Sequence, residues 1–70
     1  MHYDEFSLII KSRREVLKIT QEHLAELSGI GLRTLKSIET GKGNPTLETI
    51  IKVIEVLGLE ININIKNIKV

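Results

Sequence analysis

The chain contains no cysteine and no tryptophan, and only one proline, one phenylalanine and one tyrosine in 70 residues. Without cysteine there is neither a disulfide staple nor a thiolate metal site. His2 and His23 are far apart in sequence and lack the companions of a ligand set, so neither a metal nor another cofactor is expected. An excess of one charge is also missing: ten basic residues face nine acidic ones, for a net charge of +1. Composition alone therefore does not announce nucleic-acid binding. No run of about 18 apolar residues is present and no signal peptide opens the chain, so the expectation is a soluble cytoplasmic protein with no membrane partner. A chain of this length forms one domain near the lower limit for a self-sufficient core. With staples and metals excluded, association with a second chain is the remaining source of stability.

What the sequence does have is concentrated between Gln21 and Glu39, QEHLAELSGIGLRTLKSIE. Leu24, Leu27 and Ile30 follow a helical spacing before a glycine, and Leu35 and Ile38 follow one after it. Two such short helices cannot each hold a private core and must pack on one another. Ala25 offers the small side chain that a close crossing needs, and Gly29 suits the positive φ at which the first of the pair must stop. This is the pattern of a helix-turn-helix.

Around it the chain reads as two more helices and a tail. From Asp4 to Lys18 the residues Phe6, Ile9, Ile10, Arg13 and Leu17 make one face, with Leu8 and Val16 at its edge. Thr20 is the expected N-cap of the next helix, and Gly31 caps the one after it without a side chain. Residues 40–43 end that third helix, and Asn44-Pro45 bars its continuation. Thr46 caps a fourth, whose expected buried stripe is Leu47, Ile50, Ile51, Ile54 and Leu57, with Gly58 as its stop. The period then changes to two: Leu59, Ile61, Ile63 and Ile65 alternate with Glu60, Asn62, Asn64 and Lys66. That predicts a β-strand with no partner in its own chain, best satisfied by the same strand of a second copy about a twofold axis. Ile68 and Val70 fall out of phase with it. The division is residues 1–58 as the helical domain and 59–70 as a dimerisation strand and tail.

Arg14, Thr20-Gln21, Leu24-Ala25, Gly29-Ile30, Ile38-Glu39, Gly41 and PTLET at 45–49 resemble the Cro/C1-type, or XRE, helix-turn-helix regulators over about Arg14 to Leu59. The resemblance implies a mainly α, lambda-repressor-like four-helix DNA-binding domain and a bacterial source. Here the C-terminal strand would pair in a homodimer. It also implies a sequence-specific repressor of double-stranded DNA that reads an inverted repeat. Its base-facing set would be Leu32, Arg33, Lys36 and Ser37. Phosphate contacts would come from Gln21, Thr34, Lys42 and Gly43, with the backbone of Gly41 also able to approach. Arg14 and Glu39 would form a structural ion pair, leaving Arg13 to solvent or a phosphate. Arg33, Lys36 and Lys42 against Glu39 alone make residues 31–43 locally positive. The strand after Gly58 gives a similarity to HipB-like antitoxins, whose partner would be a HipA-like kinase toxin. The alternatives are a phage-type repressor without such a partner and a protein–protein adaptor on the same fold. No catalytic arrangement is recognisable, so an enzyme is not expected.

Overall fold

The computed structural model describes residues 3–66, with side chains from Glu5 onward. Four helices follow one another: α1 (Tyr3–Val16), α2 (Gln21–Ser28), α3 (Leu32–Glu39) and α4 (Leu47–Val56). The helix starts are written in the caps. Thr20 Oγ1 accepts from the His23 N–H at 3.0 Å, and Thr46 Oγ1 accepts from the Thr49 N–H at 3.2 Å. Gly31 is the N-cap of α3 and supplies no side-chain bond, as its composition dictates.

The helix ends share one device. A residue in the left-handed region follows each helix, at Lys18, Gly29, Gly41 and Gly58. The next N–H then reaches back to a carbonyl five residues earlier: Ile19 to Arg14, Ile30 to Ala25, Lys42 to Ser37 and Leu59 to Ile54. These are Schellman closures, which satisfy carbonyls that a helix end leaves without partners. Three of the four use glycine, which carries no steric penalty there; Lys18 at φ 57° is the exception.

Helix α2 packs on both α3 and α4, and α1 packs on α3. The core is Ile10, Leu24, Ala25, Leu35, Ile38, Val53, Ile54 and Leu57, with Phe6, Ile19, Ile30, Leu32, Ile50, Val56 and Leu59 packed against it. Ala25 is buried at the crossing, so its small side chain is what lets the neighbouring helices approach. Ser28 is also buried and donates its hydroxyl to the Leu24 carbonyl, which removes the need for an outside partner. Ser7 does the same toward the Ile38 carbonyl, joining α1 to α3.

Several apolar positions expected in the core are on the surface instead. Leu27, Ile9, Leu47, Ile51 and Leu17 are all exposed. The cause is the phase of the inward arc. In α2 it is centred on Leu24, Ala25 and Ser28, and Leu27 lies about 100° from that centre at the α-helical repeat. In α4 it is centred on Ile50, Val53, Ile54 and Leu57, so Val53 takes the place expected for Leu47 and Ile51. In α1 the inward residues are Ser7 and Ile10, and Ile9 points about 130° away from the middle of that arc. Leu17 lies past the end of α1, in the turn.

Arg13 also departs from expectation. It turns inward, and its Nε donates to the Leu57 carbonyl at 2.8 Å, satisfying the C-terminal end of α4 with a cation. Residues 59–66 run on without regular structure, and among the described residues none is in a strand. Ile63 and Ile65 are 91% and 99% exposed. Ile68 and Val70 lie outside the described residues. No described helix is long and apolar enough to cross a membrane.

Candidate nucleic-acid interface

The surface of interest is built on α3 and on the loop that follows it. Helix α3 is held at its inner side by Leu35 and Ile38, both buried, and by Glu39. Its outer side carries Arg33, Thr34 and Lys36, all exposed. Leu32 is half-buried and rests against the core at the first turn, so only part of its side chain faces outward.

Glu39 decides the electrostatics of this face. It is the one acid in residues 31–43, and its side chain is 2% exposed. Arg14 Nε donates to Glu39 Oε2 at 2.7 Å and Nη2 donates to Oε1 at 3.0 Å, a two-pronged fork between α1 and α3. Arg14 Nη1 donates to the Ile19 carbonyl at 3.0 Å, which ties down the turn before α2. Gln21, the first residue of α2, adds Nε2 to Glu39 Oε1 at 3.2 Å. The hydrogen bond that Arg14 donates to Glu39 holds its guanidinium above the ordinary pKa, against the opposing effect of burial. The single carboxylate of the segment is thus turned inward and neutralised, so the outer face presents Arg33, Lys36 and Lys42 without an acid between them.

The loop after α3 is clipped to it through Ser37. The Lys42 N–H donates to the Ser37 carbonyl at 3.1 Å, and Ser37 Oγ donates to the Lys42 carbonyl at 2.8 Å. Thr40 Oγ1 donates to the Ser37 carbonyl as well, at 3.1 Å. Gly43 completes the clip by having no side chain: a Cβ there would stand 2.5 Å from Ser37 Oγ, at a φ of +86°. Lys42 and Gly43 are both exposed at the tip. A depression of about 280 Å³ runs between helix and loop, lined by Arg33, Thr34, Ser37, Ile38, Asn44 and Pro45.

Of the expected base-facing and phosphate-facing residues, Arg33, Thr34 and Ser37 line this depression, Lys36 is exposed on α3, Lys42 and Gly43 are exposed at the loop tip, and Gln21 stands at the start of α2. The Ser37 hydroxyl is engaged by the loop, and the Gln21 amide nitrogen is engaged by Glu39. Sequence reasoning did not single out Asn44 and Pro45 as walls of the depression. Their place directly after the Gly41–Gly43 turn was the available signal.

Residues 10–64 match a family model described as helix-turn-helix. The transcriptional repressor RstR of the cryptic phage CTXphi in Vibrio cholerae serotype O1 is 32% identical over 53 residues, 76% of this chain and 47% of that protein. An uncharacterised helix-turn-helix-type transcriptional regulator of Haemophilus influenzae is 40% identical over 55 residues, 79% of this chain and 55% of that protein. The chain spans about half the length of these curated relatives. The crystal structure of the restriction-modification controller protein C.AhdI from Aeromonas hydrophila is similar with a TM-score of 0.78 and 29% identity, over 83% of this chain and 88% of that one. Four helices in this order, the αL turn at Gly29 between α2 and α3, and a cationic outer face on α3 agree with these matches: the chain belongs to the Cro/C1-type (XRE) helix-turn-helix family of DNA-binding transcriptional regulators, with a lambda-repressor-like, mainly α fold.

Proposed function

We propose that this protein is a repressor that binds an inverted repeat in duplex DNA as a homodimer in the cytoplasm. The observation that carries the reading is the outer face of α3, where Arg33, Lys36 and Lys42 stand without a competing acid because Glu39 is folded inward onto Arg14. A helix of this width enters the major groove and offers its N-terminal turns to base edges. Arg33 is the principal reader, its planar fork matching guanine O6 and N7. Lys36 reads beside it, and Leu32 gives apolar contact of the kind a thymine methyl accepts. Thr34, Lys42 and the backbone at Gly43 bind phosphates, joined by Gln21 at the start of α2, where a helix N-terminus favours an anion. Of the expected base-facing set, Ser37 supports the loop, consistent with its bond to the Lys42 carbonyl.

Two copies present two such helices about 34 Å apart, in successive major grooves. Pairing of the tails through Leu59, Ile61, Ile63 and Ile65 supports the dimer, since the exposure of the last two isoleucines calls for a cover. The phage repressor among the relatives favours promoter occupation as the output. The antitoxin role rests on the tail alone, and co-purification of a kinase-type toxin with the untagged chain tests it.

Selection of bound sequences from random duplexes, with the salt dependence of the winner, tests the main reading. A symmetric repeat with a steep negative log–log salt slope is expected. Recovery of no consensus at low ionic strength would refute it.

A further inference from the structure

An apolar groove of about 630 Å³ lies between α1, α4 and the start of the tail, with Phe6, Ile9, Leu47, Ile50, Leu59 and Ile61 among its walls. Residues 60–66 make no backbone hydrogen bond to another part of the chain among the described residues. Groove and unpaired backbone therefore adjoin, and Leu59 and Ile61 belong to both.

We propose that the occupant of this groove is the tail of a second copy, paired antiparallel with register centred on Asn62; the inference rests on the homodimer reading and specifies its geometry. In an antiparallel pair about a twofold axis, each residue faces the one related by reflection through the centre. Four apolar residues, 59, 61, 63 and 65, must find apolar partners on the same face. Centring on Asn62 maps the set onto itself: Leu59 faces Ile65 of the partner subunit, and Ile61 faces Ile63 of the partner subunit. Centring on Ile61 would set Ile65 against Leu57, which is already buried in the core. Centring on Ile63 would set Leu59 against Asn67. A slip of one residue places every apolar side chain opposite a polar one.

The polar face gives an independent reason. In the same register Glu60 faces Asn64 of the partner subunit and lies diagonal to its Lys66, so the acid of the tail meets a base across the pair at both ends. The groove follows from the apolar face. Because Leu59 and Ile61 line it, the isoleucines opposite them are delivered to its open side, beside Ile9 and Leu47. Two strands alone are marginal in water, and packing on α1 and α4 supplies the missing support. This also gives Ile9 and Leu47, exposed in the single chain, a surface to bury against.

The chain has no cysteine, which allows a direct test with N62C and N64C, each oxidised as the purified full chain. Across the proposed axis the two Cα atoms at position 62 stand about 4.5–5.5 Å apart, within disulfide reach. At position 64 they are about 13 Å apart along the ribbon and cannot bridge. The expected result is a dimeric wild type by sedimentation, near-complete covalent dimer for N62C, and little for N64C. A further variant, I9E with L47E, is expected to sediment as a monomer while keeping its helical circular dichroism. A dimeric wild type whose N62C fails to bridge, or bridges no better than N64C, would overturn the register while leaving the dimer standing. A monomeric wild type at tens of micromolar would overturn the dimer reading together with it.

Discussion

Replacing Glu39 by alanine should be the most damaging single change at a residue outside the expected DNA-contact set. The carboxylate is almost wholly buried and accepts two bonds from Arg14 and one from Gln21. Its removal leaves the Arg14 guanidinium, itself 13% exposed, with the Ile19 carbonyl as its hydrogen-bond partner and only the weaker attraction of Glu15 and Glu22 beside it. Breaking one side of a buried pair typically loses about 3–5 kcal/mol, because the remaining charge is left uncompensated. A domain of this size is held by roughly 4–10 kcal/mol in total. The variant should therefore melt at least about 12 °C below wild type, since 1 kcal/mol shifts a domain this small by about 4–8 °C. Urea unfolding followed by circular dichroism, at equal protein concentration, measures it. Replacing both partners, Arg14→Met with Glu39→Leu, should recover most of the loss, as apolar packing substitutes for a buried pair. A loss below about 1 kcal/mol in the single variant would refute the claim that this fork locks α1 to α3. The pH dependence has a definite sign. The folded pKa of Arg14 is raised, so its contribution is complete below the ordinary arginine value and fades only as pH rises through the folded one. Between about pH 6 and 9 the Arg14 contribution should be flat.

Lys18→Gly should stabilise the domain by about 0.5–1 kcal/mol, because Lys18 alone among the four helix stops holds a left-handed φ with a side chain; thermal unfolding checks it, and a destabilised variant would count against the strain. Lys42→Ala should flatten the log–log salt slope by about 0.9 per protomer that loses a phosphate contact, with base preferences kept, as read by titration across salt concentrations. Ser37→Ala and Gly43→Ala should both weaken binding to all duplexes by a common factor, since each breaks the clip between α3 and its loop. A change of preference at one base position in Ser37→Ala would instead make Ser37 a reader.

The parts legible in the sequence were those set by local chemistry. Thr20 and Thr46 start helices, and Gly29, Gly41 and Gly58 end them, because hydroxyl caps and left-handed closures depend on a few adjacent residues. The phase of burial was less legible. An eight-residue helix has only about two turns, and which arc faces inward is chosen by its neighbours, so Leu27 and Ser28 exchange the places that hydrophobicity would assign. From the sequence, Arg13 is assigned to solvent or a phosphate, because its partner, the Leu57 carbonyl, is 44 residues away and belongs to a helix end rather than to a charge. Within the interface, the resemblance pointed to Arg33, Lys36 and Lys42, each of which is exposed. The bond that engages Ser37 depends on the path of the Gly41–Gly43 loop, which residue types alone do not encode.

The proposed function depends on base reading by α3 through Arg33. The most direct measurement compares the sequences selected from random duplexes by wild type and by Arg33→Ala, with unfolding curves confirming equal stability. Arg33→Ala should lose one guanine preference in each half-site, by about 1–3 kcal/mol, with the remaining positions unchanged. Identical preferences in the two proteins would contradict it.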